Sequence, residues 1–457
     1  MLDEICEYLE CHKGKIAYIN HDETVTYEEL LTKAQRLADN LKRQGEGPVI
    51  IYGHKETYVV ISILACLLAS RAYIPLDYYI PLERIKEIVS ISKAELIITN
   101  KNLELSNIEI KTIDELESYH FKAFKEINND IAYIIFTSGS TGYPKAVPIK
   151  RANLNHFIKW ITNHKSLKDY QATNILNTAS FSFDLSVCDL YYGLFKGHTI
   201  KAYDSLTTDF KYLYELLQDI EIAVMTPSFM KLLLCSKDFN KLNYPCLKIV
   251  FFCGERLEKS LCQELFKRFK DVKIINAYGP SEATCVICSS LITIDDLNDT
   301  YLPSGDINDA ACDIKIIDNE IALKGESVFK GYLNGLEINE YHSGDYGYIK
   351  DAKLYVEGRR DRQIKYKGYR IELNEIERAL MSLDGVNDAI VDVLKDDLGT
   401  ILKIKAILIS KRSLNDIKRE LKTKLPSYMI PDVINIKDDL RTIIRKESNW
   451  KGKYYED

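Results

Sequence analysis

Short apolar segments recur along this chain, each separated from the next by a stretch with helical spacing. Pro48-Val49-Ile50-Ile51-Tyr52-Gly53, Glu95-Leu96-Ile97-Ile98-Thr99, Glu221-Ile222-Ala223-Val224-Met225, Leu247-Lys248-Ile249-Val250-Phe251-Phe252 and Val272-Lys273-Ile274-Ile275 each read as a buried strand. Helical patterns such as Leu82 to Ile91 and Lys259 to Phe269 lie between them. Strands that alternate with helices argue for an α/β architecture with largely parallel sheets. An N-terminal strand pair, Ile16–Ile19 and Thr24–Tyr27, precedes a helix expected to run to about Gln44, with Thr26 and Glu29 as its capping box.

After about Pro303 the pattern changes to short strands with tight turns. Cys312–Ile317 and Glu320–Leu323 flank Asp318-Asn319, a pair suited to a hairpin turn. From Arg359 a third pattern begins: helix Leu373 to Leu383, strands Ala389 to Leu394 and Leu402 to Ile409, helix Ser413 to Leu425, and strand Val433 to Ile436. The expectation is a large domain over 1–358, whose β-rich part occupies about 303–358, and a small mobile α+β domain over 359–457. The charged run Gly358-Arg359-Arg360-Asp361-Arg362 is the expected hinge.

The 457 residues carry a net charge of −6, which gives no reason to expect nucleic acid as a partner. The longest apolar run, Val59 to Ala69, is too short to cross a bilayer and reads as a buried helix, so no membrane insertion is expected. Eleven cysteines, odd in number and scattered through apolar segments, point to reduced thiols and a cytoplasmic chain. Cys285-Val286-Ile287-Cys288 is formally Cys-x-x-Cys, but no second pair or histidine accompanies it. A strand with cysteines on neighbouring faces is the better account.

Chemistry first shows in Ile134-Ile135-Phe136-Thr137-Ser138-Gly139-Ser140-Thr141-Gly142-Tyr143-Pro144-Lys145. An apolar strand opens into a loop of hydroxyls and glycines closed by a lysine. Such a loop suits phosphate, because glycines let backbone N–H groups approach and the ammonium balances charge. It is not a Walker loop, since no Gly-Lys-Ser/Thr is present. Three further motifs follow in order: Asn276-Ala277-Tyr278-Gly279-Pro280-Ser281-Glu282, Tyr341-His342-Ser343-Gly344-Asp345, and Gly358-Arg359-Arg360-Asp361-Arg362-Gln363-Ile364-Lys365.

With Tyr73-Ile74-Pro75-Leu76-Asp77 upstream, this ordered set resembles the adenylate-forming enzymes, and within them the amino-acid adenylation domains. Singly each motif is weak and the set is strong. The resemblance implies ATP and Mg²⁺ as cofactors. Thr137, Ser138, Gly139, Ser140, Thr141, Gly142 and Lys145 would hold the phosphates. Asn276, Ala277, Tyr278 and Gly279 would line the adenine, with Tyr278 packed on it. Asp345 would accept the ribose hydroxyls with Arg359 nearby. Glu282 would be the Mg²⁺ ligand, and Asp361 the residue about which the small domain turns.

In Ser180-Phe181-Ser182-Phe183-Asp184-Leu185-Ser186-Val187-Cys188, the resemblance gives Asp184 the substrate α-ammonium; a plainer reading is a helix cap. Leu185, Cys188, Val224, Phe251, Cys253, Gly254, Ala277, Cys285 and Val286 match the family's pocket lining. They bring no charge beyond Asp184, which argues against a charged substrate side chain. Phe251-Phe252-Cys253-Gly254-Glu255 with the Asp184 segment is similar to the ligases that load D-alanine onto a carrier protein. In those, a cysteine at the position of Cys253 crowds the substrate α-carbon. Cys188, Ala277 and Cys285 depart from that pattern.

The family's C-terminal catalytic lysine maps to Lys446 in Thr442-Ile443-Ile444-Arg445-Lys446-Glu447-Ser448, with Lys451 as rival. The catalytic set implied is Lys446, Lys145 and Glu282. The expected activity is activation of a small, alanine-like amino acid as its adenylate, then transfer to the phosphopantetheine thiol of a separate carrier protein, by a monomer. An acyl- or aryl-CoA ligase, or a non-catalytic relative with a degraded lysine motif, are the alternatives.

Overall fold

The computed structural model describes residues 4–117, 130–139, 144–170, 173–204, 209–396 and 401–437. The chain is mixed α/β, with a large N-terminal domain and a smaller C-terminal one. Two sheets dominate the large domain. The first orders its strands Glu109–Lys111, Leu96–Ile98, Val49–Tyr52, Tyr73–Leu76, Ile131–Thr137 and Lys145–Lys150. All its pairs are parallel except the last, where the chain doubles back. The second runs Cys288–Ile292, Lys273–Tyr278, Ile249–Phe252, Ile222–Met225, Asn174–Asn177, Thr199–Ala202, Ile16–Ile19 and Thr24–Thr26, antiparallel only at its two edges.

The helix Thr57–Leu68 has no charged residue, and Tyr58 through Leu67 are all buried. Its side chains share one hydrophobic cluster with strand residues of both sheets, among them Ile51 and Ile175. The helix Tyr27–Leu41 starts as expected: the Glu29 N–H donates to Thr26 Oγ1 (3.2 Å) and the Thr26 N–H to Glu29 Oε2 (2.9 Å). It ends at Leu41, short of Gln44.

A five-stranded antiparallel sheet follows, in the order Gly305–Asp306, Lys353–Arg359, Tyr341–Lys350, Glu320–Lys324, Asp313–Ile317. Asp318 and Asn319 both take positive φ (50° and 65°), as a two-residue hairpin turn demands. The C-terminal part opens with the hairpin Gln363–Tyr366/Tyr369–Glu372. The helices Leu373–Met381 and Leu414–Lys424 then accompany a sheet of Val386–Lys395, Ile401–Ser410 and Val433–Lys437. Leu380, Leu408 and Leu421 lie in a core cluster distinct from those of the large domain. Burying a leucine contributes roughly 1.5–3 kcal/mol, so this cluster helps to hold the unit's helices against its sheet.

One expectation is corrected. Cys288 opens the edge strand Cys288–Ile292, but Cys285 is not on a strand; it sits in a turn with φ +74°, preceded by Thr284 at φ +58°. Two successive left-handed residues end any extended run. All eleven cysteines are free thiols. Among the described residues no helix is long and apolar enough to cross a membrane.

Candidate active site

The site forms where the C-terminal ends of parallel strands meet, the usual ligand position in open α/β sheets. Alternation along the eight-stranded sheet puts Val224, Phe251 and Ala277 on one face, toward the first core cluster, with Cys253 just past the end of its strand. Ala223, Val250 and Phe252 face the other way into a second cluster. Leu185 and Cys188, on the helix Leu185–Lys196, and Cys285 and Val286 from the turn join the same first cluster. The lining expected for the substrate side chain is therefore brought together and is buried. Burial pushes the Cys253 thiol up to about 12 and the Cys188 and Cys285 thiols well above their ordinary value, so all three stay neutral.

Asp184 stands at the N-terminus of the helix Leu185–Lys196, yet its side chain makes no capping hydrogen bond. Its hydrogen-bonding partner is Ser281, with Arg370 and Lys365 acting on it through space. Desolvation raises its pKa above the ordinary aspartate value, opposed by the Ser281 hydrogen bond and by Arg370. Such a carboxylate suits a cationic ligand.

Tyr278 ends the strand Lys273–Tyr278 and donates its hydroxyl to Asp345 Oδ2 at 2.7 Å. Burial and the Asp345 charge push the phenol well above its ordinary pKa. Arg359 Nη1 reaches Asp345 Oδ1 at 2.8 Å, while its Nε and Nη2 pair with Asp361 at 2.8 and 2.9 Å. Each Asp345 oxygen keeps a further lone pair for a hydroxyl donor. Asn276 is committed to the backbone, donating to the Pro303 carbonyl at 2.9 Å. Gly279 is required by close approach: a Cβ there would lie 2.3 Å from the Cys285 carbonyl oxygen. Cys253, Gly254, Tyr278, Asp345, Arg359 and Lys365 line one cleft of about 1460 Å³ between the two domains.

Thr137 ends the strand Ile131–Thr137, and Thr137 and Ser138 are buried. Lys145 begins the returning strand, its Nζ 5.4 Å from the centre of the Tyr332 ring. Ser140, Thr141, Gly142, Lys446 and Lys451 lie outside the described residues. Glu282, fully buried, accepts from the Tyr332 hydroxyl (2.8 Å) and pairs with Arg370 Nη1 (2.7 Å). Burial alone would lift its pKa; the Arg370 guanidinium and the two hydrogen bonds outweigh that and hold it below the usual range.

A family model described as AMP-binding enzyme matches residues 7–333. The chain belongs to the AMP-binding enzymes. A Listeria innocua protein named D-alanine--D-alanyl carrier protein ligase is 38% identical over 458 residues, spanning 89% of each chain. The Vibrio cholerae adenylation domain AlmE, solved with glycyl-adenosine-5'-phosphate, superposes with a TM-score of 0.81 at 21% identity, covering 98% of this chain and 97% of that one. The Bacillus subtilis o-succinylbenzoate CoA synthetase MenE gives 0.80 at 21% identity, covering 95% and 94%. At such identities the likeness is one of fold, and the fold serves both.

Four residues of this AMP-binding enzyme lie in the site without having been singled out from sequence. Ser281 holds Asp184, Arg370 and Tyr332 hold Glu282, and Lys365 places its Nζ 5.5 Å from the Tyr278 ring centre. Arg370 and Lys365 come from the hairpin Gln363–Glu372, which the small domain inserts against the large one. Gly368 at its tip (φ +84°) donates its N–H to Glu255 Oε1 at 2.6 Å. Tyr369 stacks on Tyr428 (4.0 Å, 7°) and meets Phe183 edge-on at 4.6 Å. Ser281 and Lys365 lay inside motifs read from sequence, though neither was given a role; Arg370 and Tyr332 carry no local signal.

Proposed function

We propose that this chain is an ATP-dependent ligase that activates a small amino acid, D-alanine by the name of its Listeria relative, and passes it to the phosphopantetheine thiol of a separate carrier protein. The observation that carries the amino-acid reading is Asp184, a desolvated carboxylate that hydrogen-bonds Ser281, caps no helix and makes no direct ion pair among the described residues. An ammonium ligand completes it, and a CoA ligase of aryl or fatty acids has no use for it. The neutral lining of Cys188, Val224, Phe251, Cys253, Ala277, Cys285 and Val286 leaves no partner for a charged side chain.

In the first half-reaction the amino-acid carboxylate attacks the α-phosphorus of ATP, a new C–O–P linkage forms, and pyrophosphate leaves. Asp184 holds the ammonium and so aims the carboxylate. Tyr278 packs on the adenine, and Asp345 with Arg359 fixes the ribose. Thr137, Ser138, Gly139 and Lys145 cradle the phosphates, and Lys446 closes over the reacting carboxylate. Catalysis is then positioning plus charge neutralisation. Among the described residues no cluster of three or more His, Cys, Asp or Glu could enclose a metal ion. One buried carboxylate, Glu282, with phosphate oxygens completing the shell, fits Mg²⁺, which keeps mostly non-protein ligands. When bound, Mg²⁺ would neutralise charge on the phosphates. Glu282 is free for that once Arg370 withdraws.

In the second half-reaction the thiol sulfur bonds to the adenylate carbonyl carbon, the carbonyl–phosphate oxygen bond breaks, AMP leaves, and the thiol proton passes to solvent. The small domain turns about Asp361 between the two. A cytoplasmic monomer fits these roles. ATP–pyrophosphate exchange measured across amino acids in both enantiomers tests the reading: D-alanine-dependent exchange is expected, and exchange with aryl or fatty acids alone overturns it.

A further inference from the structure

Two neighbouring residues outside every motif, His54 and Lys55, are buried at a junction of the two large sheets. They follow the strand Val49–Tyr52 of the first sheet. His54 Nδ1 pairs with Oδ2 of Asp77, which closes the upstream motif, and His54 Nε2 lies 2.9 Å from Asp204 Oδ1. Burial would lower the His54 pKa; the Asp204 and Asp77 carboxylates outweigh it and hold it above its ordinary value. Asp77 Oδ2 also accepts from the Ser180 hydroxyl. One carboxylate thereby ties the first sheet to the segment that follows the strand Asn174–Asn177 of the second. Lys55 makes a parallel tie, its ammonium donating to Asn177 Oδ1 and to the Ala179 carbonyl. Asn177 in turn donates through Nδ2 to Asp189 Oδ2 at 2.8 Å, on the helix Leu185–Lys196.

Residues 177 to 180 lead directly into Asp184. Ser180 shapes that turn: its Oγ accepts from the Ser182 N–H (3.3 Å) and its carbonyl from the Phe183 N–H (3.0 Å). The Ser182 hydroxyl lies 2.9 Å from both the Ser180 and the Tyr79 hydroxyls. The turn is gripped at its entry by Lys55, in its middle by Asp77 with His54 behind it, and beyond its exit through Asp189. An apolar cluster of the same volume would join the sheets as firmly, because burying charge costs desolvation. What charge-assisted hydrogen bonds add is direction, each fixing a donor on an acceptor. Asp184 makes no capping bond of its own, so its place is set by this turn and by Ser281. A displacement of about 1 Å at a reacting site can cost roughly a hundred-fold in rate. We propose that His54 and Lys55 are positioning residues for the amino acid, acting through Asp77, Ser180 and Asn177 on the turn that carries Asp184. The inference rests on the ligase reading above.

The test uses the full-length enzyme and amino-acid-dependent ATP–pyrophosphate exchange, with the melting temperature read alongside. Three variants loosen the turn: Ser180→Ala, His54→Gln, and Lys55→Met combined with Asp189→Asn so that no buried carboxylate is stranded. Each should raise the KM for the amino acid about ten-fold and leave the KM for ATP within about two-fold. In an Asp184→Asn background none of them should lower kcat/KM for the amino acid further, because substitutions that act through one group do not add. Where a charged variant does not fold, Ser180→Ala, which removes no charge, decides. An unchanged amino-acid KM in Ser180→Ala, equal rises in the two KM values, or a fully additive loss in the Asp184→Asn background overturns the inference. No exchange by the unsubstituted enzyme with any amino acid overturns the ligase reading, and this inference with it.

Discussion

Arg370 and Glu282, 88 residues apart in sequence, meet at 2.7 Å across the junction of the two domains. The Glu282 side chain is 1% exposed and that of Arg370 17%. A carboxylate buried so completely needs a positive partner at every stage of a reaction cycle. Here the partner is a guanidinium; with phosphates bound it would be Mg²⁺. Replacing Glu282 by Gln should therefore raise the Mg²⁺ concentration for half-maximal pyrophosphate exchange by roughly ten-fold, about 1.4 kcal/mol of cation affinity. An unchanged Mg²⁺ titration would remove Glu282 from the metal site.

The same pair sets a dependence on acidity. The folded-state pKa of Glu282 lies below its ordinary value of 4.5. On acidification the unfolded chain binds this proton first, so the stability the group contributes is fully present above pH 4.5 and is lost as the pH falls through its lowered pKa. Thermal melts should show the stability difference between the unsubstituted protein and Glu282→Gln shrinking as the pH is lowered through that range. A difference independent of pH would mean that the charge of Glu282 contributes nothing.

Asp184 runs the opposite way. Burial raises its pKa, and only the ionised form pairs with an ammonium. The KM for the amino acid should fall as pH rises through that pKa. Asp184→Asn should weaken amino-acid binding by roughly 2–5 kcal/mol and abolish this trend, with ATP binding retained. A pH trend surviving in Asp184→Asn would place its origin elsewhere.

Gly279 precedes Pro280 where the chain passes against the Cys285 turn. A Cβ at 2.3 Å from the Cys285 carbonyl oxygen meets backbone that cannot swing aside. Gly279→Ala should cost about 1–3 kcal/mol, read as a lowered melting temperature. It should also weaken nucleotide binding, because the shift falls next to Tyr278. Melting at the unsubstituted temperature would show that the turn yields freely.

Much of the architecture was legible before any coordinates. The segments at 48–53, 95–99, 221–225 and 247–252 are strands because local period and apolar run length carry that information along the chain. The Thr26–Glu29 box and the Asp318–Asn319 turn are equally local, each written within four residues. The Cys285–Cys288 stretch misled because left-handed residues at 284 and 285 have no glycine to mark them. Strand order is another matter. That Val224 lies beside Phe251, and Phe251 beside Ile275 one strand over with Ala277 two residues on, follows from parallel register, which no single segment contains.

The ordered motifs in the sequence determined the nucleotide chemistry and the residue types available for it. The tertiary structure decided which groups face each other: Arg370 with Glu282, and Asp184 with Ser281. The physical reason is desolvation. A charge exposed to water tolerates almost any neighbour, whereas a charge taken out of water demands a partner, and only the packed fold takes it out.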